Sequence, residues 1–246
     1  MFVKEFCKIS LFSLAILFFL TNKAQSQENS GLYGETLCNE SEFHCLTVTV
    51  VTAEKEIKTK RGLKKIEVIM PQTWAELWPD EREREIVMKV NRLNIKLKAG
   101  MIIAVPNDLT DKTLLDFSPY EKKIEAPNKK LLIFDPNLLA WAAYDDLGNL
   151  VRWGPAVGGK KGKLTVVGNF HIIKKSGPKC RSGKYNAPMP WAMFFHPAGY
   201  AFHGSPNVPG HNASHGCVRL FNDDAEWLNK NFVEVGTKVI IRPYPE

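Results

Sequence analysis

No apolar run in the chain reaches the roughly 20 residues that a membrane-crossing helix needs. The longest, from Ile9 to Leu20, spans 12. Lys4 and Lys8 flank its start, and Ala24-Gln25-Ser26 then places small residues at the −3 and −1 positions of a cleavage site. Residues 1–26 are therefore expected to be a secretory signal peptide, with an uncleaved anchor as the alternative. Cys7 precedes the run, so it is not placed for lipid attachment after cleavage. The chain also lacks a stripe of Lys and Arg interleaved with aromatics, and it lacks a helix-turn-helix cue. Nucleic acid is thereby excluded as the expected partner. Internal repeats and low-complexity segments are absent too. The formal net charge is +7. Residues 1–26 hold three Lys and one Glu, so the remainder carries +5. A mildly basic exported chain is drawn to acidic polymers and membrane surfaces at low salt.

Cysteine is scarce. Of five, four follow residue 26: Cys38, Cys45, Cys180 and Cys217. Cys38 and Cys45 bracket the polar stretch "CNESEFHC", and in an oxidising compartment this pair is expected to form a disulfide. Because four is an even number, a second bridge from Cys180 to Cys217 stays open, and it would silence any nucleophile at 217.

Along the chain, "LTVTVVT" (46–52) reads as a strand, and the Lys/Glu-rich stretch 54–65 as exposed. "KIEVIM" (65–70) alternates as a strand does. Trp74, Leu77 and Trp78 then fall at helical spacing until Pro79, and Ile86, Val87, Val90 and Leu93 give a second apolar stripe. "LKAGMIIAVP" (97–106) is a turn followed by a strand. Residues 65–106 are thus expected to be a small α+β unit of order βααβ, after an N-terminal segment at 27–64. Residues 107–128 are polar, carry Pro119 and Pro127, and read as a linker. Beyond them come "KKLLIFD", "LLAWAAYD", "LVRWGPAVGG" and "GNFHIIKKS", separated by turn signals. A helix is expected at 222–231 with Asn222 as its cap, then a last strand, "GTKVIIRP" (236–243). The expected class is mostly β over 129–243.

The stretch "HGSPNVPGHNASHGCVRL" (203–220) concentrates chemistry. It holds three of the six histidines and one cysteine. Cysteine attacks as thiolate, and a free thiol ionises near pH 8.5, so it needs a base or cation beside it. His215 lies two residues before Cys217, on the same side of an extended segment. His203 enters from the strand "YAFHG", and a Pro/Gly loop can fold it back. This predicts a Cys217 thiol that ionises well below a free thiol, through His203. Gly216 permits a tight backbone, whose successive N–H groups suit an oxyanion. Arg219 offers a fixed cation for a carboxylate. His203, His211, His215 and Cys217 are also zinc-ligand types. Their spacing, H-x7-H-x3-H-x-C, matches no finger, and no second Cys pair supports one, so no metal is expected. A loop of buried histidines and a free thiol is the plainest alternative.

"HG" (203–204) with "SHGCVRL" (214–220) resembles the active-site motif of the L,D-transpeptidase family, the YkuD-type catalytic domain. The resemblance implies a β-sandwich with a capping segment at 174–198, whose Tyr185, Trp191, Phe194 and Phe195 either line a groove or are simple packing. It implies Cys217 as nucleophile, His203 as general base oriented by the carbonyl of Gly204, and His215 and Gly216 shaping the oxyanion pocket. It also implies Arg219 and Ser214 on the substrate, and no cofactor. The implied substrates are peptidoglycan stem peptides in the periplasm or cell envelope of a bacterium. The acceptor would be a neighbouring stem or a Lys of an envelope lipoprotein. A hydrolase on the same fold and a non-catalytic wall-binding protein are the alternatives. "VNRLN" and "LKAGMIIAVP" resemble parts of a LysM module, which implies a glycan strand as a further partner.

Overall fold

The computed structural model describes residues 32–60 and 62–245; the signal peptide expected at 1–26 lies outside them. Among the described residues no helix is long and apolar enough to cross a membrane. The N-terminal part comprises α1 (Tyr33–Leu37), β1 (Phe43–Thr47), β2 (Val50–Thr59), β3 (Gly62–Pro71), α2 (Trp74–Leu77), α3 (Glu81–Val90) and β4 (Ile102–Pro106). Thr73 caps α2 through a reciprocal bond pair with Glu76, and Asp80 caps α3. Both satisfy amides that a helix start leaves open. Cys38 and Cys45 form a disulfide, with Cα atoms 5.6 Å apart.

The strand pairing corrects the expected βααβ unit at 65–106. Residues 65–70 do not pair with 102–106; they belong to a long hairpin in which β2 and β3 run antiparallel from Val50↔Pro71 to Thr59↔Gly62. The partner of β4 is β1, from Phe43↔Pro106 to Thr47↔Ile102. The chain breaks between β1 and β2 because Val48 turns into the core and its amide donates to Met101 O.

The rest is a nine-stranded sheet built from β5 (Leu131–Asp135), β6 (Ala140–Tyr144), β7 (Leu150–Val157), β8 (Gly168–His171), β9 (Lys174–Lys175), β10 (Met193–Phe194), β11 (Ala201–Gly204), β12 (Val218–Leu220) and β13 (Lys238–Ile241). Its order is β8-β13-β5-β6-β7-β12-β11-β10-β9, with β13–β5 and β11–β12 parallel. Strand alternation splits the side chains between two clusters. Leu132, Phe134 and Trp141 join Met193 from β10 and Val239 from β13 in one. The sheet therefore curls, bringing strands from both ends of its order around a shared core. Leu131, Ile133, Ala142 and Trp153 face the other way.

That second face explains why the expected linker is not free chain. Residues 114–117 form a 3-10 turn, Trp153 Nε1 donates to Leu114 O at 2.7 Å, and the buried Tyr120 hydroxyl donates to Ala140 O at 2.6 Å. Its residues cover apolar sheet surface that would otherwise meet water. At the C-terminal helix, α4 (Asn222–Trp227), the cap position is Phe221 with no side-chain bond, so Asn222 is not the cap. One π turn, Leu228–Phe232, follows it.

The N-terminal part is welded to the sheet. Lys89 of α3 is fully buried and pairs with Asp224 of α4 at 2.8 Å; Arg152 reaches the same carboxylate oxygen at 2.8 Å. Burial would lower Lys89, but Asp224, Asp223 and Glu85 together hold it above its ordinary pKa. The Arg92 guanidinium sits 4.4 Å from the Tyr33 ring and 4.8 Å from the Trp153 ring, and donates to Leu138 O.

Candidate active site

The parallel pair β11–β12 sets the site. Phe202 faces Val218 and His203 faces Arg219 across the two strands. Cys217 immediately precedes β12, so the two halves of the sequence motif meet although nine residues, 205–213, lie between them. The intervening loop is held from outside. Asn94 clamps it twice, donating to Ser205 O at 2.8 Å and accepting from Val208 N–H at 2.7 Å. Leu93 bridges Pro209, and Tyr33 N–H donates to Gly210 O.

His203 is buried, and its Nδ1 lies 2.8 Å from Gly204 O. A carbonyl only accepts, so Nδ1 carries the proton and Nε2 keeps a free lone pair. Burial lowers the pKa of the ring, the Gly204 bond partly offsets this, and the Arg219 charge lowers it further, to about 4. The imidazole is therefore neutral at pH 7. A Cβ at Gly204 would stand 2.5 Å from Asn222 Oδ1 and 3.2 Å from the Asn222 Cα, so a side chain there would force Asn222 to shift.

Cys217 is a free thiol in the structure, as is Cys180. Its Sγ donates weakly to Gly199 O at 3.7 Å. Burial pushes the thiol above its ordinary pKa, while the Ala201 backbone and Arg219 pull the other way. This reverses the expected depression: partial burial among Phe194, Ala201 and Met189 outweighs one neighbouring cation. Arg219 acts electrostatically on both His203 and Cys217, which places the three in one neighbourhood. The resting pair is a neutral imidazole and a protonated thiol.

The turn before the nucleophile is stapled by Ser214. Its Oγ donates to Cys217 O at 2.5 Å and accepts from Gly216 N–H at 3.0 Å. Two expectations are corrected by this. Ser214 is 1% exposed with its hydroxyl committed internally, so it does not face a substrate. The Gly216 amide is likewise spent on Ser214 and is not an oxyanion donor. Gly216 instead supplies conformation: its φ is +127°, and a Cβ would meet the Tyr200 ring at 2.9 Å. The amides of His215 and Cys217 have no acceptor among the described residues and remain available to a developing oxyanion. The His215 ring is exposed, with Tyr185 5.2 Å away.

The aromatics expected to line a groove divide. Tyr185 covers His215, and Phe194 packs beside Cys217. Phe195 is buried in the main core, and Trp191 packs on that core with Lys230 4.7 Å above its ring. Cys180 packs against the same small cluster as Cys217. Among the described residues no group of His, Cys, Asp or Glu is placed to hold a metal ion, the set His203, His211, His215 and Cys217 included. Sequence reasoning missed Asn94, Gly199 and Tyr200. No local pattern announces them, because each acts through a residue far along the chain or through its backbone.

Residues 129–241 match the family model of the L,D-transpeptidase catalytic domain, YkuD. No curated protein sequence matches the chain. Similar solved structures include an L,D-transpeptidase (residues 123–326) from Xylanimonas cellulosilytica, 24% identical, with a TM-score of 0.49 over 65% of this chain and 79% of that one. An L,D-transpeptidase from Stackebrandtia nassauensis is 26% identical, with a TM-score of 0.44 over 51% and 62%. One from Mycobacterium smegmatis is 25% identical, with a TM-score of 0.43 over 47% and 59%. With every score below 0.5, the assignment rests on the family model.

Proposed function

We propose, from the match of residues 129–241 to the L,D-transpeptidase catalytic domain, that the chain is an exported enzyme joining peptidoglycan stem peptides through a Cys217 thioester. The observation that carries this reading is His203, neutral, with Nδ1 fixed on Gly204 O and Nε2 free, in the same electrostatic neighbourhood as a protonated Cys217.

The reaction follows from those protonation states. Nε2 of His203 takes the thiol proton as Sγ attacks the carbonyl between the third residue of a tetrapeptide stem and its terminal D-Ala. The oxyanion is held by the His215 and Cys217 amides. His203 then gives the proton to the departing D-Ala amine, leaving a thioester. An acceptor amine attacks that thioester, His203 removes its proton, and the thiol is released with a new amide bond formed. Splitting one hard acyl transfer into two easier ones is the gain of covalent catalysis. Arg219 serves as the fixed cation for a stem carboxylate, and its charge adds to burial in keeping the imidazole neutral before attack.

The acceptor is a neighbouring stem, giving a 3→3 cross-link, or a Lys of an envelope lipoprotein. The unit β1–α2–α3–β4 is proposed as the LysM-like module, with the hairpin inserted after its first strand and a glycan strand as ligand. Its antiparallel outer strands and two intervening helices support that reading. Mass spectrometry of products from purified tetrapeptide stems tests the function. Dimers shortened by one D-Ala support it. Tripeptides alone, with no dimer in the presence of amine acceptor, indicate a hydrolase instead.

A further inference from the structure

The β2–β3 hairpin has no role in the site. Its ten-residue strands reach about 30 Å at roughly 3.3 Å per residue. No residue from 50 to 71 belongs to or packs on any buried cluster among the described residues. A two-stranded hairpin alone is at best marginal in water, so an apolar face left on one calls for a partner.

The two faces differ in charge. Residues opposite each other share a face, so Val51 with Met70, Ala53 with Val68, Lys55 with Ile66, and Ile57 with Lys64 make one side. That side has six apolar residues, two lysines and no carboxylate. Glu54, Glu56 and Glu67 all lie on the other side, by the same register. The distal stretch "IKTKRGLKKI" (57–66) contains Lys58, Lys60, Arg61, Lys64 and Lys65 without a single Asp or Glu. Leu63, paired with Lys58 next to the turn and on the carboxylate-bearing side, is 72% exposed.

We propose that this hairpin is a membrane-docking arm that lays its carboxylate-free face and tip on a bilayer rich in anionic headgroups. Charge complementarity selects an anionic partner. The aliphatic residues set among the cations select a lipid interface over a soluble polyanion, which would use the charges and leave Ile57, Leu63 and Ile66 in water. The proposal goes beyond the transpeptidase reading and stands or falls apart from it.

Hydrogen–deuterium exchange on the full chain tests it, with vesicles of phosphatidylglycerol and phosphatidylcholine against vesicles of phosphatidylcholine alone. Slower exchange across 50–71 with the anionic vesicles only is the expected result. The double variant Lys55→Glu/Lys64→Glu, both on the carboxylate-free side, is expected to lose that protection and to need at least about 25-fold more anionic lipid, each cation near such a surface being worth roughly fivefold in partition. Its Cys217 alkylation should match wild type, reporting an intact fold. Unchanged exchange at 50–71 overturns the proposal, even if the apolar run 9–20 carries the chain to the vesicle. So does equal protection by neutral vesicles, or by polyphosphate without lipid.

Discussion

Cys217 and His203 rest uncharged, and this fixes their pH behaviour. Burial raises the thiol, so iodoacetamide alkylation of Cys217 should titrate above an ordinary cysteine. A midpoint well below that of free cysteine would contradict the assignment of burial as the dominant influence. His203, held near pKa 4, stays a competent base down to mildly acid pH. The acylation rate should therefore keep its acid limb near pH 4, and His203→Ala should lower that rate by about 10²–10⁴. The same shift bears on stability. A depressed histidine contributes stability that is full above its unfolded pKa of 6.5 and is lost as pH falls toward 4. At about 1.4 kcal/mol per pKa unit, the loss is on the order of a few kcal/mol. Thermal melts of wild type and His203→Gln across pH 7 to 4 should differ by that trend. Gly216→Ala should cost about 1–3 kcal/mol through its left-handed backbone and the Tyr200 ring, read by melting temperature, and should slow acylation as well.

At the scale of elements, the loop joining the two halves of the motif is shaped by the N-terminal part. Asn94→Ala removes both clamps on Ser205 and Val208. Leaving those buried groups unpaired costs about 1–3 kcal/mol each. Hydrogen exchange across 205–213 should quicken, with kcat falling more than the alkylation rate of Cys217. An unaltered loop would show that β11 and β12 position it alone. Lys89→Ala should cost about 3–5 kcal/mol, because it strips the main cation from a fully buried Asp224; the melting temperature checks this. Much of the sheet was legible in the sequence. "LLIFD" and "AWAAY" are short apolar runs bounded by turn residues, and they became β5 and β6, buried on both faces. The first strand of the small unit was not legible. "KIEVIM" and "FHCLT" are both plausible strands locally, and only long-range pairing with β4 chose the latter. The site's residue types were readable because His-Gly and Ser-His-Gly-Cys are dense local signals. The Ser214 staple and the raised thiol were not, since both depend on how tightly the turn is buried.

For the whole molecule, the buried Lys89–Asp224–Arg152 cluster and the sandwiched Arg92 make the two parts one body. The module at 33–106 is thereby part of the scaffold that holds the active-site loop. Its hairpin contributes no residue to any of the buried clusters among the described residues. The proposed reaction stands on Cys217 as the carrier of the acyl group. Intact-mass measurement after mixing with a tetrapeptide stem tests it most directly. Wild type should gain the mass of the stem less one D-Ala, on a single site, and Cys217→Ala should gain nothing. The same adduct on Cys217→Ala would contradict the claim.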